Sequence, residues 1–287
     1  MNKKLTTLAA VAALAVAGLA ADASAKDFAK GSTVKIATEG AYAPWNLTDS
    51  AGNLVGFEVD LAADLCKRME VECEVVQQAW EGIIPALQAG KYDVIMAGMS
   101  ITEKRMEVID FSRAYAQTPA VFVVTDSSPS AGFKVDIERV TLEDVDAGEK
   151  AALDAIVKEF KGKTIGVQIS TTHENFLREY LGKDATVKTY DTQENLDLDL
   201  QAGRVDAALA SASYWVPLLS SDKGKDMVMV GPHMTGGPFG AGVGAGIRKD
   251  DPSLTAMFDK AINAAIDDGS LEKLAVKWFG FDASAKK

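Results

Sequence analysis

A hydroxyl and a guanidinium five residues apart give the first chemical clue in this chain. Ser100 and Arg105 lie in Met99-Ser-Ile-Thr-Glu-Lys-Arg105, directly after an apolar run, 94–97, that reads as a buried strand. At the strand's end Ser100 can accept or donate a hydrogen bond. Arg105 can reach back from the next turn and grip a carboxylate with two parallel N–H···O bonds. That is equipment for holding a small acid, and nothing else in the chain reads as a catalytic engine.

Other residues sit where a second wall is expected. Ser170-Thr171-Thr172 precedes a helical stretch; these residues suit an N-cap, and the same N–H groups and hydroxyls suit an anion at a helix start. His173 follows them, facing either a ligand or solvent. Trp80 falls between a strand and a helix, with Tyr42 and Trp45 upstream; they either fill the core or form an aromatic wall for a guanidinium or an aliphatic stem. Glu39, just past the first strand, is either a solvated surface acid or the partner of a cationic ligand end. The only histidines are His173 and His233, with no HExxH spacing, so neither a metal nor another cofactor is expected. Gly240, Gly242 and Ala245 match a loose GxGxxA, but a proline-rich loop precedes them and a strand follows, so close packing explains them better than a dinucleotide.

The elements that must position these groups come in two rounds. Strands are predicted over 34–37, 74–77 and 93–97, with helices over 59–69 and 83–89 between them. A second round follows: strands 163–167, 185–190 and 206–210, helices 174–181 and 194–202. Gln88-Ala-Gly-Lys-Tyr-Asp93 is echoed by Gln201-Ala-Gly-Arg-Val-Asp206, each a helix stopped by glycine before an aspartate that opens an apolar strand. Two similar α/β lobes with mostly parallel sheets follow. Ligands bind at the carboxyl ends of such strands, where Glu39, Ser100, Ser170–Thr172 and Ser211 all fall. Residues 129–159, polar and acidic, read as an insertion on the second lobe's surface with no chemistry of their own. After a Gly/Pro-rich crossover at 231–240, a strand at 243–248 and a helical tail from 252 to 277 complete the chain.

Composition narrows the setting. Lys3 and Lys4, an apolar run over 5–20 and Ala23-Ser24-Ala25 form a secretory signal peptide, cut after Ala25; no later run approaches the roughly 18 apolar residues of a membrane span. Without residues 1–25 the chain carries 28 basic and 40 acidic residues, a net of −12, which disfavours nucleic acid as a partner. Cys66 and Cys73, the only cysteines, read as a local disulfide in an oxidising compartment, worth on the order of 2 kcal/mol for so short a loop.

Assembled, these pieces resemble the periplasmic solute-binding proteins of ABC importers for polar amino acids. The resemblance rests on Glu39-Gly-Ala-Tyr-Ala-Pro-Trp45, Gly56-Phe-Glu-Val-Asp-Leu61, the Cys66–Cys73 segment, Met99–Arg105, Gln201–Asp206 and Trp278-Phe-Gly, in family order along nearly the whole chain. Gln78-Ala-Trp-Glu-Gly-Ile-Ile-Pro85, Thr172-His-Glu174, Tyr190-Asp-Thr192, Ala208-Leu-Ala-Ser211 and Met234-Thr-Gly-Gly237 are similar to the octopine- and nopaline-binding branch, beside the lysine/arginine/ornithine and histidine binders. It implies a type II periplasmic binding fold. Lobe 1 would take 26–118 and 230–287, lobe 2 119–229, with hinges near 115–120 and 228–232. Arg105 and Ser100 would bind the α-carboxylate, helped by Thr171 and Thr172. Ala97 and Gly98 would offer backbone groups, Tyr42 and Trp80 would sandwich the ligand side chain, Glu39 would face its cationic end, and Gln168 and His173 would line the second lobe. A monomer delivering its ligand to inner-membrane permease subunits is implied. One departure stands out: such binders place an aspartate against the α-ammonium where this chain has Ser211. That suggests a ligand whose α-nitrogen is substituted, as in an opine. The alternative is an exported dehydratase on the same scaffold, with Glu39 and Glu81 as its candidate acids.

Overall fold

The computed structural model describes residues 28–287; the signal peptide expected over 1–25 lies outside them. Two mixed sheets organise the chain. The first has five strands in the order Glu72–Gln77, Thr33–Thr38, Val94–Ile95, Gly246–Ile247, Asp110–Phe111. The second has six: Thr186–Tyr190, Thr164–Gln168, Ala207–Ser211, Ala120–Thr125, Met227–Thr235, Arg139–Thr141. In each, the round's first strand lies between its second and third, all parallel. The internal echo is thus a structural repeat.

The repeated aspartate has one job in both lobes. Asp93 accepts a hydrogen bond from the backbone N–H of Lys35 at 2.9 Å, and Asp206 accepts one from Thr164 at 2.7 Å. Each carboxylate takes an N–H of its lobe's first strand and so fixes where the third strand starts against it. The glycines of the two QAG turns, Gly90 and Gly203, both have positive φ, as a left-handed stop requires.

Helices Phe57–Met69, Pro252–Asp267 and Ser270–Phe279 pack on the first sheet around buried Phe57, Leu61, Phe258 and Phe279. The helical tail consists of two helices, divided where Gly269 adopts φ 73°. Cys66 and Cys73 are joined, tying that first helix to the edge strand.

Residues 129–159 are not a surface insertion. They supply the edge strand Arg139–Thr141 and most of the helix Ala147–Phe160, whose Leu153, Ile156 and Phe160 pack with Phe122 and Phe176 in the second lobe's core. The acidic character belongs to the outer face; the apolar positions at helical spacing belong to the core.

The chain crosses between sheets twice. Ala116 pairs with Val243 in the first sheet's periphery, and Ala120 opens a strand of the second. Met227–Thr235 stays in the six-stranded sheet along its whole length, so residues 228–232 are strand interior and the return lies at 240–243. There the loose GxGxxA finds its physical reason. A Cβ on Gly240 would sit 2.1 Å from the Ile101 carbonyl oxygen, and one on Gly242 3.0 Å from that of Ala116, both at positive φ. The glycines let two crossing segments touch.

Candidate functional site

A cavity of about 350 Å³ opens between the sheets. Its floor is set by a buried carboxylate that sequence reasoning did not single out. Glu58, in the first turn of Phe57–Met69, accepts from Asn46 Nδ2 and from the Gly98 N–H, each at 2.7 Å, and from the Tyr115 hydroxyl. Asn46 in turn accepts from the Gly40 N–H at 2.7 Å. One network therefore holds the loop after the first strand and the loop after the third. Burial pushes the Glu58 carboxyl up, and its three donors pull the other way. The only sequence signal was an acid set between Phe57 and Val59 in Gly56-Phe-Glu-Val-Asp-Leu61.

All twelve expected site residues line this cavity. Arg105 lies in the short helix Glu103–Met106, capped by Thr102. Its Nη1 donates to the Ser100 carbonyl at 2.9 Å and its Nη2 to the Ser170 carbonyl, across the cleft, at 3.3 Å. The guanidinium stands 5.3 Å from the centre of the Trp80 ring, a cation–π distance. Burial lowers it to about 10, which leaves it cationic at neutral pH. Ser170 presents its carbonyl from a left-handed backbone, φ 59°, unusual for a residue with a Cβ.

Glu39 is 4 % exposed and accepts from Gln168 Nε2 at 2.7 Å, again across the cleft. Burial pushes its carboxyl up to about 7; the Gln168 bond opposes this, and the nearby Glu58 adds to it. A buried acid that is half protonated at neutral pH becomes fully ionised only when a cation joins it. His173 is driven down to about 4 by burial and by Arg105, so it lines the cavity as a neutral ring, 5.8 Å from that of Phe239.

Some expected contacts are already occupied. The Thr171 hydroxyl donates to the Gln168 carbonyl at 2.7 Å and accepts from the Glu174 N–H at 3.1 Å, so it caps Thr172–Phe176. The Gly98 N–H is held by Glu58, which leaves its carbonyl, not its donor, for a ligand. Tyr42 hydrogen-bonds to Ser211 and stacks on Tyr214 at 4.8 Å. Trp45 is core, 1 % exposed, with its indole N–H given to Ser213 at 3.0 Å. Trp80 donates to the Ile169 carbonyl at 2.9 Å. These contacts join one lobe to the other, so the cleft is closed. Glu81 is exposed and lies outside the lining.

Sequence reasoning also missed Gln117, Thr118, Gln193 and the group Arg139, Thr141, Glu143 and Thr235. The last four come from the segment read as chemically silent and from the strand paired with it.

This geometry has counterparts. The profile of bacterial extracellular solute-binding proteins, family 3, matches residues 34–281. The chain belongs to that family. Its sequence is 40 % identical to the octopine-binding periplasmic protein of Rhizobium meliloti, over 98 % of this chain and 99 % of that one. It is 35 % identical to the L-arginine-binding protein of Pseudomonas aeruginosa, over 98 % of each. Among solved structures, a periplasmic His/Glu/Gln/Arg/opine family-binding protein from Silicibacter pomeroyi, in complex with lysine, superposes with a TM-score of 0.70 at 34 % identity, covering 88 % of this chain and 99 % of that one. As a family 3 solute-binding protein, the chain has the fold to which its two sheets and interlobe cavity belong. Among the described residues, no group of three His, Cys, Asp or Glu is placed to hold a metal ion.

Proposed function

We propose that this protein is the periplasmic receptor of an ABC importer and captures an arginine-derived opine, a basic amino acid whose α-nitrogen carries a second carboxylate. Leader cleavage after Ala25 and action as a monomer are part of this reading. In this reading one lobe takes 26–118 with the C-terminal return and the other begins at 119; the pairing of Met227–Thr235 within the six-stranded sheet supports a return at 240–243 rather than at 229.

Ser211 carries the reading. It lines the cavity bonded to a tyrosine, with no charge to offer an ammonium. Meanwhile Arg105 suits a carboxylate and Glu39 suits a cationic end. A desolvated primary ammonium facing a lone hydroxyl is costly, whereas a substituted nitrogen with its own neighbouring carboxylate meets part of that cost within the ligand. Net charge agrees. The lining holds two guanidiniums, Arg105 and Arg139, and two carboxylates, Glu39 and Glu143, with His173 neutral. A ligand of net charge zero fits that balance; free arginine adds an unbalanced cation. Closure follows from contacts a ligand makes with both lobes at once.

A thermal-shift panel tests this. A ligand at 100 times its dissociation constant adds about 2.7 kcal/mol, or a rise on the order of 5–10 °C for a chain of this size. Opines and basic amino acids should raise the melting temperature, and neutral aliphatic amino acids should not. The dehydratase reading draws on one observation: a Glu39 that holds a proton near neutral pH resembles a general acid. Burial accounts for that proton, and incubation with prephenate should yield no product.

A further inference from the structure

We propose that Arg139, with the Thr141 and Thr235 hydroxyls, forms the subsite that receives the second carboxylate of the ligand. The inference deepens the opine reading and rests on it.

The edge strand Arg139–Thr141 alternates: Val140 is buried in the lobe core, while Arg139 and Thr141 share the opposite face. It runs parallel to the neighbouring strand, with His233, Met234 and Thr235 opposite Arg139, Val140 and Thr141. Met234 is buried like Val140, so Thr235 joins Thr141 on the same face, their hydroxyl oxygens 3.4 Å apart. Arg139, Thr141 and Thr235 all line the cavity that contains Arg105. Among the described residues Arg139 has no salt bridge, whereas Arg68, Arg178, Arg204 and Arg248 do. His233 beside it is held neutral-leaning by burial and by Arg139 itself, so Arg139 is the charge of this corner on the cationic side.

Register places the corner relative to Ser211. Ser211 lies opposite Ala120, Ala120 opposite Met234, and Met234 opposite Val140. The subsite strand is therefore three strand spacings from Ser211, about 14 Å at ~4.8 Å each. The long Arg139 side chain spans part of that distance and an acidic arm on the ligand nitrogen spans the rest. Free arginine has no such arm. Glu143 lines the same mouth, its Cγ 2.9 Å from where a Gly236 Cβ would stand. It disfavours a bare anion and so favours an arm attached to a cationic nitrogen.

Arg139→Gln is the test, read by calorimetry with arginine and with N2-(1-carboxyethyl)arginine as the two titrants. Arg139 is exposed and unpaired, and the apo melting temperature of the variant checks the fold. The subsite predicts a loss of about 10- to 100-fold for the carboxyethyl compound, the range of one charged hydrogen-bonded contact, with no loss for arginine. Equal losses for both ligands, or none for either, overturn the subsite while leaving a wild-type preference for the carboxyethyl compound intact. A wild type that prefers free arginine overturns the opine reading, and the subsite with it.

Discussion

Ligand binding should expel a proton from Glu39, and the size of the effect follows from its environment. With the cleft closed and empty, burial holds the carboxyl up to about 7. A guanidinium placed beside it favours the ionised form and pulls the value down in the complex. The sign is that of a carboxyl depressed on binding: affinity is fully present above about pH 7 and is lost as pH falls below it. If the bound carboxyl stays ionised throughout, affinity at pH 8 is within about 10 % of its ceiling. At pH 5.5 only about 3 % of the protein with its cleft closed and empty has the ionised carboxyl, so ligand entry into that closed form falls roughly 30-fold, or about 2 kcal/mol. About half a proton should leave per ligand at pH 7 and almost none at pH 8.5. Titration calorimetry in two buffers of different ionisation enthalpy measures that number directly. Asp197, pushed up to about 6 by burial behind Tyr214, also titrates in this range, so Glu39→Gln is the control: it should abolish the release near neutral pH. Constant affinity from pH 5.5 to 8, with no proton released at pH 7, would refute the pairing of Glu39 with a cationic ligand end.

Three further outcomes follow from the same geometry. Arg105→Ala should reduce affinity for any α-carboxylate ligand at least about 100-fold, since the lost bonds are charge-assisted; retained binding in a thermal-shift assay contradicts the clamp. Glu58→Ala leaves the Asn46 amide, the Gly98 N–H and the Tyr115 hydroxyl without their shared acceptor and should cost about 3 kcal/mol or more of stability in denaturant unfolding; a loss under 1 kcal/mol discounts the network. Ser211→Asp should raise affinity for free arginine relative to N2-(1-carboxyethyl)arginine by about tenfold or more, and an unchanged ratio in paired titrations shows that position 211 does not read the ligand nitrogen.

Much of the architecture was legible because it is periodic. The QAGxxD echo exposed the two rounds, and the structure explains it through Asp93 and Asp206, each fixed to the first strand of its lobe. Cleft loops were legible because they follow strand ends. What stayed hidden depends on pairings that no local pattern encodes. The strand Arg139–Thr141 is three residues long in an acidic stretch, and only its partner Met227–Thr235 turns it into a wall of the cavity. Glu58 resembles any acid in a helix's first turn until Asn46, Gly98 and Tyr115 converge on it from three other segments. Thr171 looked like both a cap and a ligand group, and its hydroxyl is spent on the cap. The return crossing was misplaced because a Gly-Pro pair at 231–232 reads as a break, although the strand continues through it with a register shift between Val230 and Met234.

Opine binding is tested most directly by one comparison: the dissociation constants of the wild-type protein for free arginine and for N2-(1-carboxyethyl)arginine, measured by calorimetry in the same buffer at pH 8. The doubly carboxylated compound should bind more tightly, by about tenfold or more for one added charged contact. Tighter binding of free arginine would contradict an opine as the ligand.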